Sequence, residues 1–231
     1  MADGDLGGLG GRTFAAVLFD FDGTLVDSTP SVTRSWATWT AEYGVSELAV
    51  SHGVPVIEKI NSLIEPERQA EALARIRALE LADTDGIVPL PGAREALGAL
   101  DDATCAIVTS CDRDLFDLRA EVVGFRVPAV TVTRTDVDHG KPDPEPWLRA
   151  CELLGVEPAD CLVVEDSVAG LVSGREAGCA TLGLLTTTRR DEVEADAVVA
   201  DLGAVRFGVA DGRAVLRGSD HQAVGPSVVG R

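Results

Sequence analysis

Three aspartates fall within eight positions of the stretch AVLFDFDGTLVDS, residues 16–28, directly after an apolar run. Related chemistry recurs farther along. Thr109-Ser110 follows the apolar CAIV, Glu165-Asp166-Ser167 follows CLVV, and Gly140-Lys141-Pro142 places a lysine on a loop that leads into a helix. Side chains two apart on an extended chain point to the same side, so Asp20 and Asp22 are expected to converge on one site, with Asp166 adding a third carboxyl group. Such a cluster repels itself unless a cation lies within it. An all-oxygen ligand set suits a hard ion, and Mg²⁺, which retains several waters, is the expected cofactor.

A carboxylate beside such an ion can attack phosphorus, because the metal screens its repulsion from the phosphate oxygens. Lys141 would add a second positive charge, and Thr109 with neighbouring backbone N–H groups would hold the phosphate oxygens. An aspartate two residues past the nucleophile can protonate the leaving oxygen and later take a proton from water. Taken singly, each residue has an ordinary explanation: a turn or helix cap for Asp22 and Asp166, surface for Lys141, a strand-end hydroxyl for Thr109. Their common place at the ends of apolar runs is what favours a site.

Those runs are the strands of the expected fold. Ala15 to Phe19, Thr104 to Val108, Ala129 to Val132, Cys161 to Val164, Ala180 to Leu184 and Ala197 to Val199 read as short buried strands. Helices over 92–100, 113–122, 144–154 and 168–177 separate them. Strands alternating with helices in this way predict an α/β fold, a doubly wound, Rossmann-like parallel sheet. In such sheets ligands bind outside the carboxyl ends of the strands.

Between Thr29 and about Asp85 the alternation stops. Thr29-Pro30 starts a helix on which Val32, Trp36, Trp39 and Tyr43 share a face, and Gly44 ends it. Pro66 opens a second amphipathic helix. The expected organisation is therefore a loose, glycine-rich segment 1–11, a core of 12–27 with 89–217, an inserted helical cap 28–88 and a disordered tail 218–231. Arg206 to Leu216, centred on Asp211-Gly212, is expected to form a hairpin.

The formal charge of −18 disfavours nucleic acid and anionic membranes as partners. No apolar run is long enough for a membrane span, and the first ten residues lack a secretory pattern, so a cytoplasmic protein is expected. The five cysteines include no C-x-x-C pair, and Cys105, Cys161 and Cys179 read as reduced core residues.

The order of these segments resembles the haloacid dehalogenase superfamily, in particular its phosphatases and β-phosphoglucomutase-like members with a helical cap after the first strand. DFDGTLVDS, Val108-Thr109, GKPDPEPW and VVEDSVAGLVSGREAG are similar to its four motifs and span Val17 to Gly178. The resemblance implies that Asp20 is the nucleophile, Asp22 the general acid and base, and Thr109 and Lys141 the phosphate ligands. It further implies that Asp20, the backbone carbonyl of Asp22 and Asp166 bind Mg²⁺, with Glu165 as a further support.

Asp22 itself argues for phosphoryl transfer, since haloacid dehalogenases lack an aspartate there. The mutase-like relatives usually carry a histidine at the place of Val32, which favours plain hydrolysis here. In the cap, Ser51-His52-Gly53 resembles a segment of phosphatases acting on small polyol and sugar phosphates, although Pro55 stands where many of those have arginine. Ser110, His52 and Lys59 are the candidate substrate contacts. The expected activity is Mg²⁺-dependent hydrolysis of a small phosphorylated metabolite by a monomer or homodimer. The alternatives are a hexose phosphate mutase and a non-catalytic interaction module.

Overall fold

The computed structural model describes residues 6–45 and 56–219, apart from the side chain of Glu58. The described chain runs β1 (Thr13–Phe14), β2 (Ala16–Phe19), β3 (Val26–Asp27), α1 (Thr29–Tyr43), α2 (Val56–Leu63), α3 (Pro66–Ala82), β4 (Val88–Pro89), α4 (Ala93–Gly98), β5 (Cys105–Val108) and α5 (Arg113–Val123). It continues through β6 (Val130–Val132), α6 (Glu145–Leu154), β7 (Cys161–Glu165), α7 (Val168–Glu176), β8 (Ala180–Leu184), β9 (Ala197–Val199), β10 (Val205–Ala210) and β11 (Arg213–Gly218).

Six strands form one parallel sheet in the order β6-β5-β2-β7-β8-β9. Every residue of β2, β5, β7 and β8 is buried, as expected of strands covered on both faces. Alternation along β2 divides the core. Val17 and Phe19 pack with Ile107, Phe116 and Leu216 on one face, while Ala16 and Leu18 pack with Val163 and Trp147 on the other. Each layer of side chains is thus set by a period of two.

Because β2 lies between β5 and β7, the chain builds outward on one side and then crosses to the other, and β2 marks that reversal. Phe19 is level with Ile107 and Val164, so the three strands end side by side. This register, through residues far apart in sequence, assembles the site.

The helical unit has its own core. Trp36, Trp39, Ile60, Ala72 and Ile76 form a cluster against which Val32 and Tyr43 also pack. Trp39 stacks on Tyr43 at 4.6 Å and donates its indole N–H to the Ala72 carbonyl at 2.9 Å, which satisfies the polar end of a buried ring. The chain enters and leaves this unit through β3 and β4, which pair antiparallel with Val26 opposite Pro89 and Asp27 opposite Val88. Two residues per strand are too few for periodicity to reveal, and the sequence reading missed them.

Residues 6–11, expected to be loose, are anchored instead: Leu6 and Leu9 are buried in the main core through a short 3₁₀ turn. Two leucines supplied the burial that a glycine count concealed. The terminal hairpin forms as expected. Ala210 pairs with Arg213 across Asp211-Gly212, both with positive φ, the geometry of a two-residue turn that follows sheet twist. β1 adds to β11, so the N-terminal strand pairs with the last one. Residues 220–231 of the expected tail lie outside the described residues. Among the described residues, no helix is long and apolar enough to cross a membrane.

Candidate active site

The turn after β2 is built to bring backbone against a carboxylate. Phe21 accepts from the N–H groups of Leu25 and Val26 at 2.8 and 3.0 Å, which folds DGT back on itself. Gly23 sits in this turn with φ +89°, and a Cβ there would collide with the Asp166 side chain. Glycine is needed at this point for both reasons. A second close approach holds the neighbouring acid: the Glu165 carboxylate lies against Gly170, and Glu165 Oε2 accepts from the Ser167 N–H at 2.6 Å. Ser167 in turn caps α7 by accepting from the Gly170 N–H at 3.1 Å.

Lys141 occupies the centre. It is 6% exposed, and its Nζ donates to Asp20 Oδ1 at 2.6 Å, Glu165 Oε1 at 2.9 Å and the Val108 carbonyl at 3.0 Å. All three ammonium hydrogens are accounted for. The ring of Trp147, 4.4 Å from Nζ to its centroid, closes the far side. Burial opposes the charge, but Asp20 and Glu165 outweigh it and hold Lys141 above its ordinary value.

Asp20, Glu165 and Asp166 each offer an oxygen within 4.8 Å of the others. Burial pushes Asp20 from 3.8 up to about 7, Lys141 opposes the rise, and Glu165 and Asp22 add to it. Asp166 is pushed well above the ordinary carboxylate range, first by burial and then by Glu165 and Asp20. Its hydrogen bonds among the described residues come from the hydroxyls of Thr24 and Thr187. Of these three buried carboxylates, Asp20 and Glu165 share one ammonium, and Asp166 has no ion pair among the described residues. An all-oxygen set so short of positive charge fits a divalent cation, which Asp20 and Asp166 would hold with Glu165 beside them.

Thr109 is buried at the end of β5, accepting from the Cys111 N–H at 3.1 Å, and Ser110 next to it is exposed. The structure thus brings Asp20, Lys141, Glu165 and Asp166 together at the ends of β2 and β7. Lys59 is half-buried on α2, with its Nζ 5.3 Å from the Trp36 ring centroid. Burial lowers its pKa and Glu80 opposes that shift. His52 lies outside the described residues.

The Asp22 carboxylate is near enough to Asp20 to raise its pKa but has contacts of its own. It stands outside the acidic cluster, accepting from Ser28 Oγ at 2.6 Å, Arg119 Nη1 at 2.8 Å and the Cys111 thiol at 2.9 Å. The two-residue period holds only along an extended strand, and β2 ends at Phe19. Arg119 and Cys111 were missed from sequence. A signal for the first exists: Phe116, Arg119, Ala120 and Val123 share the buried stripe of α5, and a charge at a core position calls for a partner. Cys111 gave none. The other four cysteines are buried free thiols, as expected for three of them.

Comparison with known proteins agrees with the geometry. Residues 14–178 match the family described as haloacid dehalogenase-like hydrolase. The chain belongs to that family. Hexitol phosphatase A of Escherichia coli (strain K12) is 38% identical over 188 residues, which cover 77% of this chain and 87% of the relative. Glycerol-1-phosphate phosphohydrolase 2 of Saccharomyces cerevisiae is 32% identical over 211 residues, covering 84% of each. The crystal structure of a hydrolase from Pseudomonas syringae superposes with a TM-score of 0.73 at 25% identity, over 82% of this chain and 94% of that one. The acidic cluster of this haloacid dehalogenase-like hydrolase lies at the carboxyl ends of parallel strands, where open α/β sheets place ligands.

Proposed function

We propose that this phosphoric monoester hydrolase acts on a small sugar or polyol phosphate through a phosphoryl group carried on Asp20, with Mg²⁺ as its cofactor. The observation that carries the reading is the Lys141–Asp20 contact of 2.6 Å inside a buried cluster with Glu165 and Asp166. Mg²⁺ would supply charge neutralisation at the nucleophile and phosphate. Lys141 favours the ionised form of Asp20 against the effect of burial and holds its Oδ1, which leaves the other oxygen to attack. Thr109 and Ser110, at the end of β5, receive phosphate oxygens. Asp22 delivers a proton to the leaving alcohol and later accepts one from water as that water cleaves the acyl phosphate.

Residues 28–88 act as a cap over these strand ends, excluding bulk water and limiting substrates to small ones. His52 and Lys59 are the proposed cap contacts. The names of the two relatives, a hexitol phosphatase and a glycerol-1-phosphate phosphohydrolase, support a polyol phosphate as substrate. Val32 packs into the apolar cluster of the helical unit, so this position offers no titratable group, which favours hydrolysis over mutase chemistry.

The test is phosphate release with Mg²⁺ from a panel of hexitol, glycerol and hexose phosphates by wild type and Asp20→Asn. Release by wild type alone is expected. No release from any member, or undiminished release by the variant, overturns the proposal.

A further inference from the structure

Arg119 has no task in the chemistry above, yet it is 2% exposed on the buried stripe of α5. A buried guanidinium is costly unless paired, and a purely structural one would have its donors satisfied. Here Nη1 donates to Asp22 Oδ1 at 2.8 Å and to Cys111 Sγ at 3.3 Å, while Nε and Nη2 have no hydrogen-bond partner among the described residues. Nη2 is aimed at Glu80 Oε1 on α3, 3.9 Å away.

The faces of α3 and α5 around this contact are complementary in charge. One turn before Glu80, Arg77 bridges Asp112 at 2.9 Å and Asp114 at 2.6 Å, at the start of α5. Arg77 and Glu80 of the helical unit thus meet Asp112, Asp114 and Arg119 of the core, opposite signs facing each other. Asp22 is consequently held from three directions: by Arg119 of α5, by Cys111 of the loop after β5, and by Ser28 at the entry to the helical unit.

We propose that Arg119 is a positioning residue that aligns the Asp22 carboxylate for proton transfer, and that Glu80 ties this alignment to docking of α3 on α5. This rests on the reading of Asp22 as acid and base given under the proposed function. A fixed fork between two carboxylates suits the role, because one arm can orient Asp22 while the other registers the position of the helical unit.

The leaving group distinguishes this role from a structural one. p-Nitrophenolate departs without a proton, whereas an alkoxide needs one. Single-turnover rates with saturating excess enzyme would be compared for p-nitrophenyl phosphate and for whichever of glycerol 1-phosphate and mannitol 1-phosphate wild type cleaves faster. Such rates do not depend on the folded fraction. Arg119→Met is expected to slow alkyl phosphate cleavage by about 10²-fold, the cost of a misplaced catalytic group, and to leave aryl release within a few-fold of wild type. Arg119→Lys should recover part of the loss, and Glu80→Gln should shift the alkyl-to-aryl ratio in the same direction by less. An equal loss on both substrates, no loss, or a gain on the alkyl substrate overturns the inference. If Arg119→Met gives no soluble protein, unchanged ratios for Arg119→Lys and Glu80→Gln overturn it. Wild type that cleaves neither alkyl phosphate refutes the proposed function instead.

Discussion

Lys141→Met would remove the one ammonium that, among the described residues, touches Asp20 and Glu165, while keeping most of the volume of the lysine stem. Both carboxylates are then left buried without their cation, a change that costs about 3–5 kcal/mol when a buried pair is broken from one side. For a chain of this size each kcal/mol moves the melting temperature by about 2–4 °C, so a fall of roughly 6–20 °C is expected in EDTA at pH 8. The pH dependence follows from Asp20. Burial raises its folded pKa from 3.8 to about 7, so its contribution to stability is fully present below the unfolded value and is lost as pH rises through about 7. Lys141 opposes that rise, and without it Asp20 moves farther up. The deficit of the variant relative to wild type must therefore be larger at pH 8 than at pH 5. Thermal melts in EDTA at the two pH values measure it. A deficit at pH 8 of less than about 2 °C, or one larger at pH 5, would refute the account of the cluster as carboxylates short of positive charge.

Asp20→Asn should raise the melting temperature in EDTA at pH 8 while abolishing turnover, since it neutralises a carboxylate whose burial outweighs its attraction to Lys141; a lower melting temperature contradicts this. Mg²⁺ at about a hundred times its dissociation constant should stabilise wild type by about 2.7 kcal/mol, hence by roughly 5–10 °C. Asp166→Asn should reduce that shift sharply, and an undiminished shift places the ion elsewhere. Gly23→Ala meets both a positive φ and the Asp166 side chain, so it should cost about 1–3 kcal/mol and weaken the response to Mg²⁺, as titrated by melting temperature.

Much of the catalytic core was legible because it is written locally. Short, mostly apolar runs of three to five residues gave each strand of the parallel sheet, and Asp20, Thr109 and Glu165-Asp166 stand at or just past the ends of the strands that carry them. Lys141 was legible from its motif, although its burial under Trp147 was not. The aromatic stripe of α1 gave the core of the helical unit for the same reason of periodicity. The β3–β4 pair, the anchoring of Leu6 and Leu9, and the Arg119–Asp22 contact across 97 positions were hidden, since each depends on a partner that no local pattern names.

By itself, then, the sequence determined which segments are strands and which acidic and basic groups stand at their ends, because backbone period and burial act over a few residues. Only the tertiary structure decided that β2 lies between β5 and β7, that one lysine serves two carboxylates while Asp166 has hydroxyls alone, and that Asp22 turns to an arginine. Strand order and side-chain direction are set by packing and charge balance over the whole molecule, and those are properties of the folded chain.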